Sequence, residues 1–286
     1  MKIAVASGKG GTGKTMVSTS LAASLSGQTS LSFLDCDVEA PNAHLFLKPN
    51  FTVEEPVEVP IPEIDPELCT RCGRCVEVCQ YNALAKIGDQ MLVFSQLCHS
   101  CGSCTLACPE HAIHEVGKPI GLLRQGKTSH GIDFLHGELS IGEPMPTPVI
   151  REVKKATPPG SPLTIIDCPP GASCSVVTAI HDADYVILVT EPTPFGWHDL
   201  NQMLGVLKQT GTPAGIVVNQ DGIGDRTIEK QLADLPLPIL MRIPFREEIA
   251  ANLARGDLLT EILPEYEAAF QMLYRQIIEQ TQRSAA

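Results

Sequence analysis

One stretch of eight residues, Gly8–Thr15, restricts the fold of this chain more than any other part of its sequence. It reads Gly-Lys-Gly-Gly-Thr-Gly-Lys-Thr and lies between a short apolar run at 2–6 and a helix candidate at 14–26. Between a strand and a helix, glycines at this spacing let backbone N–H groups surround phosphate oxygens, while Lys14 reaches the β- and γ-phosphates and the Thr15 hydroxyl ligates Mg²⁺. The stretch therefore predicts a nucleotide-binding α/β fold, with an ordinary glycine turn as the alternative.

Short apolar runs in the remainder of the chain predict the other strands of that fold. The run 31–37 contains two aspartates at its end, and later strand candidates, separated by helix candidates, lie at 163–167, 185–190, 214–219 and 239–243. This alternation predicts a doubly wound parallel sheet. Near the end of the chain, an apolar stripe over 264–282 predicts an amphipathic helix that packs on the body of the domain.

Two stretches of unusual composition predict an inserted module. From Phe51 to Pro66 the chain is rich in proline and glutamate, which favours an extended connector over a helix, and a stretch rich in glycine and proline follows Lys118. The predicted division of the chain is 1–60 for the first part of the nucleotide domain, 61–118 for a small α+β insert, and 119–286 for the second part of the nucleotide domain.

The composition limits the partners of the chain. It has 286 residues, a formal charge of −12 and a pI near 5.1, and its lysines and arginines are scattered, so it lacks the basic surface that neutralises nucleic-acid phosphates. No apolar stretch approaches the roughly 20 residues of a membrane span, and the first strand leads into the glycine-rich loop rather than a cleavage site. We expect no nucleic-acid partner, no stable membrane insertion and a cytoplasmic location.

Eight of the eleven cysteines lie between Cys69 and Cys108, in two runs of identical spacing. Each run is C-x2-C-x2-C-x3-C, and the runs start 29 positions apart within a longer repeat, which predicts a pseudo-symmetric module. In a chain of cytosolic character this spacing indicates metal coordination by thiolates rather than disulfides. Two zinc sites are an alternative, but zinc ribbons use paired C-x2-C knuckles and need neither the third nor the fourth cysteine of these runs.

The spacing of both runs resembles that of bacterial ferredoxins with two 4Fe-4S clusters, in which the fourth cysteine of each run ligates the other run's cluster. Pro109 follows the second run as in that family, whereas Gln80 replaces the proline after the first run, which removes no ligand. The resemblance implies two ligand sets, which are Cys69, Cys72, Cys75 and Cys108 for one cluster and Cys79, Cys98, Cys101 and Cys104 for the other.

Lys9, ahead of the remaining glycines of the loop, makes it resemble the deviant Walker A sequence of the group of P-loop ATPases that includes MinD, ParA, Mrp and the nitrogenase iron protein. In that group this lysine reaches the nucleotide of the facing subunit. The resemblance therefore implies an ATP-dependent dimer, either of two copies or with a paralogue. Asp35 and Asp37 match the first switch, so the resemblance implies that Asp37 orients the attacking water and that Asp35 supports Mg²⁺.

The segment Leu163–Gly171 matches the Walker B strand and second switch of the same group. The resemblance implies that Asp167 holds Mg²⁺ through water, together with Thr15 and Asp35, and that the Gly171 amide faces the γ-phosphate. Asn219 and the segment Ile243–Arg246 resemble the parts that recognise the base, although asparagine and proline are also common turn residues. The implied nucleotide-binding residues are Gly8, Lys9, Gly10, Gly11, Thr12, Gly13, Lys14, Thr15, Thr19, Gly171, Asn219, Pro244 and Phe245. The implied catalytic residues are Lys9, Lys14 and Asp37.

Over nearly its entire length the chain is similar to MinD/ParA/Mrp-type P-loop ATPases that contain an inserted two-cluster ferredoxin domain. The resemblance implies an ATPase of weak intrinsic activity, with ATP or ADP, Mg²⁺ and two 4Fe-4S clusters as cofactors. The leading hypothesis is that nucleotide-dependent dimer closure gates electron transfer through the clusters to a redox partner. The alternative is an ATP-dependent scaffold or carrier of the Mrp type, which passes Fe-S clusters to an acceptor protein. A positioning ATPase whose clusters sense redox state is a third hypothesis, and the lack of DNA- or membrane-binding features disfavours it.

Overall fold

The computed structural model describes residues 1–224 and 226–284, which form a large sheet flanked by helices and a smaller part that carries the cysteines. The strands are β1 (Lys2–Ser7), β2 (Leu31–Asp35), β3 (Asn50–Ile64), β4 (Leu84–Ile87), β5 (Gln90–Val93), β6 (Ile113–Lys127), β7 (Asp133–Leu139), β8 (Leu163–Pro170), β9 (Tyr185–Thr190), β10 (Ala214–Asp221) and β11 (Ile239–Pro244). The helices are α1 (Lys14–Leu25), α2 (Ala43–Leu47), α3 (Arg74–Val78), α4 (Ser103–Ala107), α5 (Pro146–Lys155), α6 (Cys174–Ile180), α7 (Pro194–Thr210), α8 (Arg226–Ala233), α9 (Glu247–Leu253), α10 (Leu259–Ile262) and α11 (Glu265–Ser284).

The large sheet has the strand order β11-β10-β9-β1-β8-β2-β7-β6-β3. Every pairing from β11 to β7 is parallel, and the chain winds outward from β1 in both directions, so the predicted doubly wound parallel sheet is confirmed for these seven strands. The pairings of β6 with β7 and with β3 are antiparallel. Strand β7 was not predicted, because its buried stretch contains a histidine and a glycine and no continuous apolar run marks it.

Two apolar layers cover the two faces of the sheet. On one face α1, α10 and α11 pack over side chains that include Phe33 and Phe134, and on the other α5, α6 and α7 pack over Leu34 and Ile166. Side chains alternate between faces along a strand. The functional side chains at the ends of β2, β7 and β8 therefore lie on the α1 face, and they are Asp35, His136 and Asp167.

The stretch predicted as an extended connector at 51–66 is instead a paired strand. β3 and β6 form an antiparallel ribbon in register from Asn50 opposite Lys127 to Ile64 opposite Ile113. Prolines occur along β3. They are tolerated because β3 is the edge strand, so no neighbouring strand on its outer side needs a hydrogen bond from the missing N–H groups. The part of the ribbon nearest the cysteines, 58–64 with 113–119, extends beyond the end of β7.

The cysteine-bearing part between β3 and β6 has the repeat that the sequence predicted. Helices α3 and α4 have five residues each and begin 29 positions apart, while β4 and β5 form a separate two-stranded sheet. Residues with positive φ recur at the same interval: those of the first half are Arg71, Gly73 and Asn82, with φ of 59°, 82° and 53°, and their counterparts are Ser100, Gly102 and His111, with φ of 54°, 70° and 49°. The predicted internal pseudo-symmetry is thus confirmed in the backbone.

The final helix, α11, packs on the body as predicted, with Phe270, Leu273 and Ile277 buried in the layer over the α1 face. Among the described residues, no helix combines the length and the apolar character that crossing a bilayer requires.

Candidate functional site

The loop between β1 and α1 lies at the carboxyl edge of the parallel strands, and two of its glycines adopt a conformation that other residues avoid. Gly11 and Gly13 have φ of 82° and 88°, in the left-handed region that glycine enters without steric cost. Asn219, near the end of β10, donates from Nδ2 to the carbonyl of Thr12 at 2.8 Å. The asparagine that was predicted to recognise the base therefore holds the backbone of the phosphate loop.

Replacing Gly13 with alanine is expected to lower the free energy of unfolding of the nucleotide-free protein by about 2 kcal/mol or more. A Cβ at Gly13 would lie 2.3 Å from Nδ2 of Asn219, so both the backbone and the asparagine would have to shift. Gly10→Ala is the matched control, because a Cβ there meets no atom within 4 Å and the residue is outside the left-handed region. Urea unfolding measures both variants, and equal losses of stability would contradict the prediction.

Lys14, the first residue of α1, is buried against two carboxylates. Its Nζ lies 2.8 Å from Oδ1 of Asp167 and 3.6 Å from Oδ2 of Asp37, while the Thr15 hydroxyl donates to Oδ2 of Asp167 at 2.7 Å. Burial lowers the pKa of Lys14, but the charges of Asp167 and Asp37 outweigh burial and raise the pKa to about 12, so the ammonium stays charged. The adjacent oxygens of Thr15 and Asp167 are ligands of the type that Mg²⁺ takes beside nucleotide phosphates.

Asp35 ends β2, directly opposite Asp167 on β8, and is fully buried. Its carboxylate oxygens accept hydrogen bonds from the backbone N–H groups of Asp37 and Ala43, at 3.2 and 3.0 Å. Burial and the neighbouring charge of Asp167 raise the pKa of Asp35 above its ordinary value. Burial is also the chief cause of the raised pKa of Asp37. Three carboxylates are therefore concentrated at one end of the sheet, near a single buried lysine.

Lys9 is held within its own subunit. Its Nζ forms an ion pair with Oε1 of Glu191, and the Thr193 hydroxyl donates to the same oxygen at 2.9 Å. Glu191 follows β9, the strand next to β1, and is 8% exposed. Gly8 packs so closely on α7 that a Cβ there would lie 2.3 Å from the carbonyl oxygen of Asp199. Glu191 was not predicted as a functional residue, although an acidic residue after a strand at the nucleotide edge is a signal that could have identified it.

The remaining predicted nucleotide residues are distributed along the same edge. Gly171, with φ of 93°, donates its N–H to the last carbonyl of β1 at 2.9 Å, which connects the predicted second switch to the start of the phosphate loop. Thr19 is fully buried, and its hydroxyl donates to a carbonyl one turn earlier in α1. Pro244 ends β11, and Phe245 follows it with half of its surface exposed. Phe245 thus leaves an aromatic face available at this edge.

The cysteine-bearing part encloses two recesses, each lined by three cysteines of one run and one of the other. The first is lined by Cys69, Cys72, Cys75 and Cys108. The second is lined by Cys79, Cys98, Cys101 and Cys104. These are the two sets that the resemblance to ferredoxins implied, and the structure brings the members of each set together.

The sulfurs in each recess lie too far apart for a single tetrahedral zinc ion. Zinc–sulfur bonds of about 2.3 Å place the sulfurs of a tetrahedral site roughly 3.8 Å apart, whereas in the described part of the chain no three cysteine sulfurs lie within 4.8 Å of one another. A cluster needs a wider spacing, because each thiolate binds a different iron. The N–H groups of Ala83 and Ala112 donate to the sulfurs of Cys79 and Cys108, each at 3.3 Å, and hydrogen bonds to sulfur tune the potential of such clusters.

Comparison with known proteins gives matches along most of the sequence. The family model described as the CobQ/CobB/MinD/ParA nucleotide binding domain matches residues 3–259. Two uncharacterised proteins of Methanocaldococcus jannaschii are similar to the chain. One is 34% identical over 98% of this chain and 97% of the relative, and the other is 30% identical over 90% of each.

The structure is also similar to solved structures. The septum site-determining protein MinD of Pyrococcus horikoshii, complexed with Mg-ADP, matches with a TM-score of 0.58 and 18% identity over 96% of this chain and 95% of that one. The cell division ATPase MinD of Pyrococcus furiosus matches with a TM-score of 0.57 and 21% identity over 98% of both chains. At these identities the likeness shows a shared fold.

Proposed function

Because this chain belongs to the CobQ/CobB/MinD/ParA nucleotide-binding family, we propose that it is an ATPase in which nucleotide-dependent dimer closure gates electron transfer through two 4Fe-4S clusters. The observation that carries the proposal is the pair of recesses, each lined by four cysteines drawn from both runs. Because each run contributes a cysteine to the other's recess, the two sites form one unit joined to the nucleotide-binding sheet. Clusters in these sites would supply one-electron redox chemistry.

In the proposed ATPase site, backbone N–H groups of Gly8–Thr15 surround the phosphates, and Thr15 and Asp167 hold Mg²⁺ with Asp35 in support. Lys14 transfers its contact from the carboxylates to the γ-phosphate. Asp37 orients the water that attacks the γ-phosphorus as the bond to the ADP oxygen breaks. The position of Lys14 between Asp167 and Asp37 supports these assignments. The roles of Thr19, Gly171, Asn219, Pro244 and Phe245 in nucleotide binding remain predictions.

The ribbon gives the proposed coupling a structural route. The first switch follows β2, which pairs with β7, and β7 pairs with β6, one of the two strands that lead to the cysteines. A displacement of the first switch would therefore act on strands that are hydrogen-bonded to the ribbon.

The division of the chain into 1–60, 61–118 and 119–286 remains part of this proposal. The reducing conditions that free thiolates need support the predicted cytoplasmic location.

We expect Glu191→Gln to strengthen ATP-dependent dimerisation of two copies by up to about thirtyfold, because each copy loses a partly exposed ion pair that contributes up to about 1 kcal/mol. If Lys9 reaches the nucleotide of a facing subunit, it must first leave Glu191. Sedimentation velocity with a non-hydrolysable ATP analogue measures the dimer fraction. Glu279→Gln, an exposed glutamate of α11, is the control. A dimer fraction of Glu191→Gln equal to that of the control would show that the pair does not oppose dimerisation.

The test of the main proposal compares the protein with ATP, with ADP and without nucleotide. We expect the reduction potential of the clusters, or the rate of electron transfer to an acceptor, to differ among the three states. The variant Asp37→Ala should bind ATP without hydrolysing it. With ATP, its reduction potential and its electron-transfer rate are expected to stay at the values of the ATP-bound state. Equal potentials and equal rates in all three states would refute the coupling and leave the ATPase assignment intact.

One observation supports the carrier as a second candidate. Each recess has one exposed cysteine, Cys72 in the first and Cys101 in the second, so a cluster in either recess would be open to attack by acceptor thiols. A carrier should transfer ⁵⁵Fe to an apo-acceptor in an ATP-dependent manner. Retention of all iron through repeated redox cycles would instead favour electron transfer.

A further inference from the structure

Three potential metal ligands lie together at the border of the proposed nucleotide site, and one of them, Asp35, is also the predicted support for Mg²⁺. Asp35 ends β2, His136 lies opposite it on β7, and His44 belongs to α2, which follows β2. One ligand atom of each lies within 4.8 Å of the other two, and Nδ1 of His136 is 3.9 Å from Oδ2 of Asp35. Within residues 1–224 and 226–284, this is the one group of three histidine, cysteine or acidic side chains that meets this distance.

One imidazole nitrogen of each histidine in this group lacks a partner. Nδ1 of His136 and Nδ1 of His44 are both buried without a hydrogen bond, and His136 is only 2% exposed. Its separation from Asp35 exceeds the hydrogen-bond range. Unpaired nitrogens in the interior cost free energy that a bound ligand would remove.

The charges around the group also favour a cation. Lys14 is shared between Asp167 and Asp37, and no lysine or arginine among the described residues lies within ion-pair distance of Asp35. Arg124, opposite His136 on β6, is already paired with Glu54 and Glu138. A dication beside Asp35 would supply the positive charge that this buried carboxylate lacks.

We propose that Asp35, His44 and His136 form a binding site for one divalent transition-metal ion of the zinc or ferrous class. Two imidazoles and one carboxylate suit these ions, whereas Mg²⁺ prefers oxygen ligands. Bonds of about 2.0–2.1 Å place tetrahedral ligand atoms roughly 3.4 Å apart, so the three side chains must close by on the order of 1 Å. His44, half-buried on a helix of five residues, is placed to make this movement.

This group of ligands lies next to the proposed Mg²⁺ site and next to the strands that lead to the cysteines. His136, Asp35 and Asp167 lie opposite one another on three adjacent strands, so a metal ion here changes the charge next to the proposed Mg²⁺ ligand. It also ties β2 to β7, the strand that pairs with the cysteine-bearing ribbon. The site uses none of the eight cysteines and requires no dimer.

Co²⁺ difference spectra of the full-length protein, purified anaerobically with its cysteine sites loaded with iron, test the proposal. Cobalt reports its ligands, because thiolates produce strong near-ultraviolet charge-transfer bands, whereas imidazole and carboxylate produce only visible d–d bands. We expect one equivalent of Co²⁺ with d–d bands alone, which Zn²⁺ displaces and excess Mg²⁺ does not. His44→Ala should weaken this binding at least tenfold. The matched control is His114→Ala, an exposed histidine of β6 beside Glu63, which should leave it unchanged.

Two results would overturn the proposal: a cobalt spectrum that is entirely of the thiolate type, or wild-type affinity in both His44→Ala and His136→Gln. The unfolding midpoint of each variant without metal shows whether it is folded. If His136→Gln does not fold, His44→Ala decides the question, because its side chain is only half-buried. ATP hydrolysis with Mg²⁺ is assayed separately, so a failure here does not touch the proposed ATPase function.

Discussion

Replacing Cys108 with serine is expected to remove the same half of the bound iron as replacing Cys72, although these cysteines belong to different runs. Both line the first recess, together with Cys69 and Cys75. In either variant the iron content should fall from about eight to about four atoms per chain, since a four-iron cluster that loses one thiolate is the unit removed. Metal analysis of anaerobically purified protein provides the measurement.

Double variants distinguish crossed ligand sets from uncrossed ones. Cys72→Ser combined with Cys108→Ser should lose no more iron than either single variant, because both act on one site, whereas Cys72→Ser combined with Cys79→Ser should lose nearly all of it. Cys174→Ser, an exposed cysteine outside the two runs, is the control and should keep full iron. If the pair of Cys72 and Cys79 loses one cluster only, the crossed assignment is wrong.

Replacing Lys14 with methionine is expected to reduce ATP hydrolysis by a factor on the order of 10² or more and also to destabilise the nucleotide-free protein by about 3 kcal/mol. The first effect follows from the loss of the cation that contacts the transferred phosphate. The second follows because Asp167 and Asp37 would remain in a buried place without the ammonium that lies beside them. Steady-state phosphate release and urea unfolding measure the two effects.

The loss of stability in Lys14→Met should depend on pH. Without Lys14, the pKa values of Asp35 and Asp37, which burial already raises, rise further above those of the unfolded chain, so the native state binds more protons and its stability falls as the pH rises. The deficit relative to wild type should therefore be larger at pH 8 than at pH 5. Lys9→Met is the matched control, because its ion pair with Glu191 is partly exposed and its loss should cost less than about 1 kcal/mol. An equal deficit at both pH values would show that uncompensated carboxylates are not its cause.

The parts of the structure that were predicted correctly are those that depend on local chemistry. Apolar runs marked six strands of the parallel sheet, because a strand buried on both faces needs such a run. The interval of 29 positions predicted the repeated helices and the repeated positive φ values, because equal loops with glycines at equal places take equal conformations. The helix at 264–282 was predicted from its apolar stripe, which lies against the core.

The parts that were missed depend on neighbours distant in the chain. The prolines of β3 favoured a connector. Its position at the sheet edge, where a missing N–H is tolerated, depends on pairing with residues 49 to 77 positions further along the chain. Strand β7 is buried by its neighbours rather than marked by its own composition. Glu191 became a partner of Lys9 only because β9 lies beside β1.

The amino-acid sequence was therefore sufficient to establish the nucleotide-binding fold, the phosphate loop and two repeated cysteine runs, because glycine spacing, apolar periodicity and ligand spacing act over a few residues. Folding in three dimensions established which carboxylates surround Lys14, that four cysteines share each recess, and that Asp35 faces two histidines. Those contacts join segments up to 153 residues apart, as Lys14 and Asp167 are. Their formation depends on strand order and register, which no local stretch of sequence specifies.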